Sequence, residues 1–447
     1  MFNREILDDL RDWARADDRK PLILRGARQV GKTTAVNIFS REFDQYLYLD
    51  LENSEDAEIF ARDLPFQDLV QAMFLHKNLS PSDGRTLLFV DEIQGSPIAI
   101  KMMRYFRETA HTLFVLAAGS LLEATFGAQQ MSFPVGRVQF IFMYPLTFRE
   151  FLVATGEDKA RQLLDTVPLP TYAFTRLLNL FHQYTLIGGM PEIVGCWNDS
   201  RDVTALTPMY EALMTSYRDD VVKYARNRTM VEILRHTIES VPLETGKRIT
   251  FEGFGNSRYR SREMSEALKS LERALLLHLV YPTTVTKPPI RIDKRKKPRL
   301  QFLDTGLINY TAGLQRDFFT GNNLHAIYHG MIVEHVVGQE LIAMNRKQPG
   351  KISFWVRQKK QSTAEVDYVL PHGQFLIPVE VKAGKVGTLR SLHQFMERVD
   401  HRYAVRIYAG QLKKTENQTP NGKRFTLLDL PYFLSGKLTD YLNWFIH

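Results

Sequence analysis

The chain has 447 residues, 44% hydrophobic and 24% charged, with a formal net charge of +8; this is the balance of two or three folded domains and excludes a disordered or fibrous chain. Its single cysteine, Cys196, excludes an internal disulfide and a thiolate zinc cluster. The opening MFNREILDDLRDWARADDRK has no apolar core of signal-peptide length, and no run approaches the ~20 apolar residues of a bilayer span, so a cytoplasmic protein without a membrane partner is expected.

The first third alternates short apolar runs with helical patterns. PLILRG (21–26), QYLYLDL (45–51), TLLFVDE (86–92) and TLFVLAAG (112–119) read as buried strands separated by periodic segments, which predicts an α/β domain with a mainly parallel sheet over 1–146. After the first strand, RGARQVGKTT fulfils the GxxxxGK[ST] pattern, with a helix expected to follow. In such a loop Gly26, Ala27, Arg28, Gln29, Val30 and Gly31 turn their backbone N–H groups toward phosphate oxygens. Lys32, Thr33 and Thr34 open the helix, whose N-terminus attracts anions. Lys32 is expected to reach the β and γ phosphates of ATP, and Thr33 to ligate Mg2+. TLLFVDE supplies the second half of the site, with Asp91 at the strand end to hold the Mg2+ shell and Glu92 to orient or deprotonate the attacking water. Ser120, a polar residue closing the next strand, is a candidate γ-phosphate sensor of the kind AAA-type ATPases carry there. Arg137, after a glycine turn, is a candidate charge sensor or arginine finger, with a plain surface arginine as its alternative.

Helical spacing then dominates. TFREFLVAT, AFTRLLNLFHQYTLIGG and ALTPMYEALMTSYRDDVVKYA fill 147–225, a helical linker or lid region, and SEALKSLERALLLHLV lies in a basic region over 226–325. Residues 201–300 hold 20 Lys and Arg against 12 Asp and Glu, while the rest of the chain balances. The excess peaks in KPPIRIDKRKKPRL, which carries Lys287, Arg291, Lys294, Arg295, Lys296, Lys297 and Arg299. A loop of this kind between two strands suits the phosphates of nucleic acid, DNA in the first instance, by counterion release. A solvated or protein-docking face would have the same composition. His278 and the other histidines show no metal spacing. Adjacent Gly188 and Gly189 before Pro191 predict a forced turn after a helix.

Taken in order, GxxxxGKT, FVDEIQ, AAGS, GRV with YPLTFREF, YTLIGGMPEIV, PRLQFLDTGLIN, GMIVEHVVGQEL and EVDYVL…VEVK resemble the prokaryotic family of predicted AAA+ superfamily ATPases. The resemblance covers almost the whole chain. It implies an AAA-type P-loop ATPase core, a helical and winged-helix-like middle, and a C-terminal α/β domain of the PD-(D/E)XK nuclease-like, restriction-endonuclease-like class over 326–447.

Within that last region a helix (GMIVEHVVGQELIAMN), strands KISFWVR, EVDYVL and FLIPVEVKA, a helix near 388–399, and strands RYAVRIYAG and FTLLDL are expected. On VEVKA, Glu380 and Lys382 share one strand face. Asp367 lies on the preceding strand of a hairpin turning at PHGQ, and Glu334 lies on the helix before it. Glu334, Asp367 and Glu380 are candidate Mg2+ ligands, with Lys382 positioning a water. Glu340 and Glu365 are expected to face solvent. Two functions fit this sequence. One is an ATP-driven DNA-binding machine whose C-terminal domain cleaves nucleic acid. The other is a nucleotide-dependent regulatory switch whose C-terminal domain only binds. Either could act as a homo-oligomer.

Overall fold

The structure is a computed structural model that describes residues 2–62, 64–109, 112–120, 136–315, 330–347, 352–358, 364–384 and 388–446. The chain divides into two compact units, Met1–Tyr144 with Arg273–Leu275, and Pro145–Glu272 with Leu276–His447. The segments 147–225, 226–325 apart from Arg273–Leu275, and 326–447 therefore fall in one compact unit. Among the described residues no helix is long and apolar enough to cross a membrane.

In the first unit, strands β1 (Leu22–Arg25), β2 (Gln45–Asp50), β3 (Thr86–Asp91), β4 (Phe114–Gly119) and β5 (Gln139–Phe142) make one sheet in the order β2-β3-β4-β1-β5. Every pairing is parallel, as the connecting helices require. Helices α1 (Ile6–Arg15), α2 (Lys32–Phe39), α3 (Ser54–Ala61), α4 (Phe66–His76) and α5 (Pro97–Thr109) surround it. The three central strands are buried at every position, which is why they read as unbroken apolar runs. One sheet face, with Ile23, Leu47, Leu88 and Val115, packs on Phe60, Met73 and Ile100.

The second unit opens with α6 (Phe148–Ala154), α7 (Asp158–Leu164), α8 (Phe174–Ile187), α9 (Pro191–Ser200), α10 (Thr207–Asp220), α11 (Arg228–Glu244) and α12 (Ser261–Arg273). β6 (Leu277–Val280) and β8 (Arg299–Phe302) then pair antiparallel. The basic loop between them is not a free wing, because β7 (Pro282–Thr283) joins the edge of the following sheet beside β9 (Ser353–Val356). After α13 (Thr305–Thr311) and α14 (Gly330–Ala343), the sheet is built from β9, β10 (Glu365–His372), β11 (Phe375–Lys382), β12 (Tyr403–Tyr408), β13 (Lys413–Gln418) and β14 (Arg424–Pro431), in the order β13-β14-β12-β11-β10-β9-β7. β10 and β11 form the expected hairpin, turning at Gly373 with φ +55°. Helices α15 (Arg390–Met396) and α16 (Leu438–Ile446) complete the unit, with Trp355, Leu376 and Phe395 in its core. β13 went unanticipated because KKTENQ is an edge strand without a buried apolar row.

Candidate functional site

The glycine loop leaves the C-terminal end of β1, a central strand, and runs directly into α2. Gln29 and Gly31 adopt left-handed conformations, φ +65° and +93°, and these reverse the chain around the cradle. At Gly26 there is no room for a side chain, since a Cβ would stand 2.5 Å from Met143 O. Ala27 and Val30 are buried, Arg28 pairs with Glu52 at 3.3 Å, and Thr34 is exposed. Lys32 Nζ donates to Gly26 O (3.1 Å) and Ala27 O (3.0 Å). These carbonyls occupy donors that phosphate oxygens would otherwise take. Burial lowers the pKa of Lys32, against the attraction of Glu92 and Asp91.

Thr33 Oγ1 donates to Asp91 Oδ2 at 2.6 Å. Two hard oxygens from separate elements are thus adjacent, the arrangement a magnesium water shell needs. Burial pushes Asp91 up to about 6, although the Thr33 hydroxyl favours its charged form. Glu92 sits beyond the strand end in a left-handed conformation, φ +47°. Its carboxylate accepts a short hydrogen bond from Gln94 Nε2. Gln94 Oε1 is buried without a partner. Ser120 is buried just past the end of β4, the strand between β1 and β3.

Arg137 requires a correction. It precedes β5, whose first residue, Gln139, is in register with Leu22 at the start of β1. The loop follows Arg25, at the other end of the same parallel strands. A sensor in its own chain's site is therefore excluded by topology, and Arg137 pairs with Glu108 at 2.9 Å while half exposed. Arg4 was missed by sequence reasoning. It donates to Val30 O (2.9 Å) and Tyr144 O (2.7 Å), tying the start of the chain to the cradle. Its partners are carbonyls, so no residue-type pattern marks it.

In the second unit, the structure brings Glu334, Asp367, Glu380 and Lys382 into one cleft. Lys382 Nζ pairs with Glu380 Oε1 at 2.7 Å, as their shared strand face requires, and Asp367 Oδ2 accepts Val381 N–H at 2.8 Å. Burial, then repulsion from Asp367, pushes Glu380 up to about 7. Glu334, expected as a metal ligand, is paired with Arg299. Arg299 departs equally from the exposed basic run: its side chain is 13% accessible, against 92% for Arg295. Glu365 does not face solvent freely but is engaged by Arg299 and Arg248. Glu340 is buried, accepting Phe148 N–H (2.9 Å) and sharing the Tyr184 hydroxyl (2.8 Å).

Residues 178–317 and 329–433 match two domains of unknown function, DUF8612 and DUF4143. An uncharacterized protein of Methanocaldococcus jannaschii is 23% identical over 419 residues, spanning 89% of this chain and 83% of the relative. Among solved structures, a Walker-type ATPase of Pyrococcus abyssi is similar at 15% identity and TM-score 0.43, covering 70% of this chain and 96% of that one. The Orc1 protein of Aeropyrum pernix in complex with DNA is similar at 12% identity and TM-score 0.30, covering 70% and 93%. The Holliday junction branch migration motor of Thermotoga maritima is similar at 15% identity and TM-score 0.27, covering 66% and 93%. Residues 18–152 match a family model described as an AAA domain, and since that span holds the whole parallel sheet with Lys32, Thr33 and Asp91, the chain carries an AAA-type P-loop ATPase domain at its N-terminal end.

Proposed function

We propose that the protein binds and hydrolyses ATP with Mg2+ in its first unit and uses the nucleotide cycle as a switch on nucleic acid held by its basic middle region. The observation that supports this reading above the others is the Thr33–Asp91 contact at 2.6 Å beside Glu92. Bound Mg2+ would neutralise charge building on the transferring phosphoryl group. Thr33 and Asp91 would hold the ion's oxygen shell, and Lys32 would turn from the loop carbonyls to the phosphates. Glu92 would take the proton of the attacking water. Ser120 would face the γ-phosphate. Arg137, too far along the sheet to serve its own site, would act only in a neighbouring copy of a homo-oligomer.

Lys287, Arg291, Lys294, Arg295 and Lys297 are exposed, which fits DNA phosphate contacts without sequence preference. A second reading, cleavage by the C-terminal domain, would need a divalent ion beside Asp367, Glu380 and Lys382, and the pairing of Glu380 with Lys382 and of Asp367 with Arg299 stands against it. The test compares wild type with Lys32→Ala, Glu92→Gln and Asp367→Ala, measuring ATP binding, phosphate release and the integrity of linear, circular and single-stranded DNA. The switch reading expects Lys32→Ala to lose nucleotide binding, Glu92→Gln to bind ATP but not turn it over, and DNA to stay intact. Wild-type turnover in Lys32→Ala would sink it, and DNA cleavage lost in Asp367→Ala would establish the second reading.

A further inference from the structure

Arg299 ends a run of lysines and arginines but behaves unlike the rest. It opens β8 inside the second unit, where its Nε donates to Glu365 Oε1 at 2.7 Å. One terminal nitrogen pairs with Glu334 and reaches Asp367 O at 3.3 Å. The other reaches Asp367 Oδ1 at 3.2 Å and also pairs with Glu365. Phe354 covers the guanidinium, with its ring centroid 4.9 Å from Cζ. Glu365 is held on its far side by Arg248 at 3.3 Å. Three carboxylates from two elements thus share one planar cation. Burial opposes its charge, but Glu334, Asp367 and Glu365 outweigh that and raise its pKa. An arginine so placed cannot lose its proton.

A divalent cation would need several carboxylate oxygens with open lone pairs. Asp367 spends Oδ2 on Val381 N–H and Oδ1 on Arg299. Glu334 and Glu365 are bound by Arg299. Glu380 Oε1 is taken by Lys382, while Glu380 Oε2 is buried and without a partner. Among the described residues no three acidic, histidine or cysteine side chains converge as a metal site requires. As arranged, the cleft residues do not fit Mg2+.

We propose that Arg299 is the resident cation of the C-terminal cleft: its guanidinium takes the neutralising place that a divalent metal would hold among Glu334, Glu365 and Asp367, and the domain keeps its structure without recruiting a metal. The inference is independent of the ATPase reading, because every group in it belongs to the second unit.

The test uses the full chain, nucleotide-free, with Thr33→Ala and Asp91→Ala removing the ligands of the ATP site. Mn2+ binding is followed by the electron paramagnetic resonance signal of the free ion and by the thermal midpoint. The expected result is no bound Mn2+ and no shift in midpoint, with the same behaviour after a further Asp367→Asn change. Adding Arg299→Met to the same chain should create binding of one Mn2+ per chain and a midpoint that rises with Mn2+. Binding in the parent chain that Asp367→Asn or Glu380→Gln removes would overturn the proposal. So would a folded Arg299→Met chain that takes up no Mn2+. If Arg299→Met does not fold, the comparison of the parent with Asp367→Asn decides by itself.

Discussion

Gly188→Ala tests whether the paired glycines after α8 are demanded by packing. Gly188 has φ +82° and ψ −171°, a region that side chains avoid, at a cost of about 2 kcal/mol. Its Cβ would fall on Asp304 Oδ1 and stand 2.7 Å from Gly306 N. Asp304 is fully buried and accepts Gly189 N–H at 2.6 Å, Gly306 N–H at 2.9 Å and Leu307 N–H at 3.3 Å. Displacing it strands at least one buried donor, which costs about 1 to 3 kcal/mol. The expected loss is therefore about 4 kcal/mol. Gly156→Ala is the control, since φ there is +75° but nothing lies within 4 Å of the added Cβ, leaving only strain of about 1 kcal/mol. In guanidinium unfolding followed by tryptophan fluorescence, a slope of about 5 kcal/mol/M puts the two midpoints about 0.8 M and 0.2 M below wild type. Equal midpoints for the two variants would refute the collision argument.

Three further outcomes are expected. Because burial raises Asp91 to about 6, it carries a proton below that pH in the nucleotide-free protein. Mg2+-dependent ADP affinity should then fall about tenfold per unit below pH 6, relative to ADP with chelator, and Asp91→Asn should flatten that difference in calorimetric titrations. Arg4→Ala removes two charged hydrogen bonds to the cradle and should lower the stability of the first unit by about 2 to 3 kcal/mol; an unchanged thermal midpoint contradicts this. Changing Lys294, Arg295, Lys296 and Lys297 together to alanine should reduce the slope of log affinity for DNA against log salt by up to about 3.6. A slope equal to wild type in fluorescence anisotropy would remove this loop from the interface.

The nucleotide site was legible because its signals are local. Gly26 to Thr33 form a continuous string, and Asp91 with Glu92 end a recognisable apolar strand, so neither needs a partner to be identified. What escaped depends on distant backbone or on burial. Arg4 works through two carbonyls, one of them 140 residues away. Glu340 looked solvent-facing in a string of mixed residues, yet α14 is buried around nearly its whole circumference, so a carboxylate on it must find internal donors. Arg137 was read as a possible sensor because a glycine turn does not show which end of the sheet it borders until the register of β5 on β1 is known. Arg299 was misread because charge runs show composition only. One residue of that run begins a strand while its neighbours form the turn, and that difference carries it from water into a carboxylate cleft.

The buried polar groups of the second unit explain why four separated strings occur together. Tyr184 shares its hydroxyl between Leu146 O and Glu340 Oε1, and accepts from Gln339 Nε2 at 3.0 Å. Gln339 Oε1 in turn accepts Thr305 N–H at 2.9 Å. His335 lies 3.1 Å from Phe302 O through Nε2 and 3.0 Å from the Thr305 hydroxyl through Nδ1. Burial holds this histidine neutral, lowering its pKa to about 3. A neutral ring that donates from Nε2 must accept at Nδ1, so His335 Nδ1 and Gln339 Oε1, 3.0 and 2.9 Å away, compete for the one Thr305 hydroxyl proton. YPLTF, YTLIGG, LDTG and EHVVGQE are thus connected parts of one buried polar network. Removing one member leaves its partners desolvated and unpaired, and such costs exceed the worth of a single bond. These polar residues therefore need no part in chemistry to be required, and the titratable groups in that network are poor candidates for catalysis.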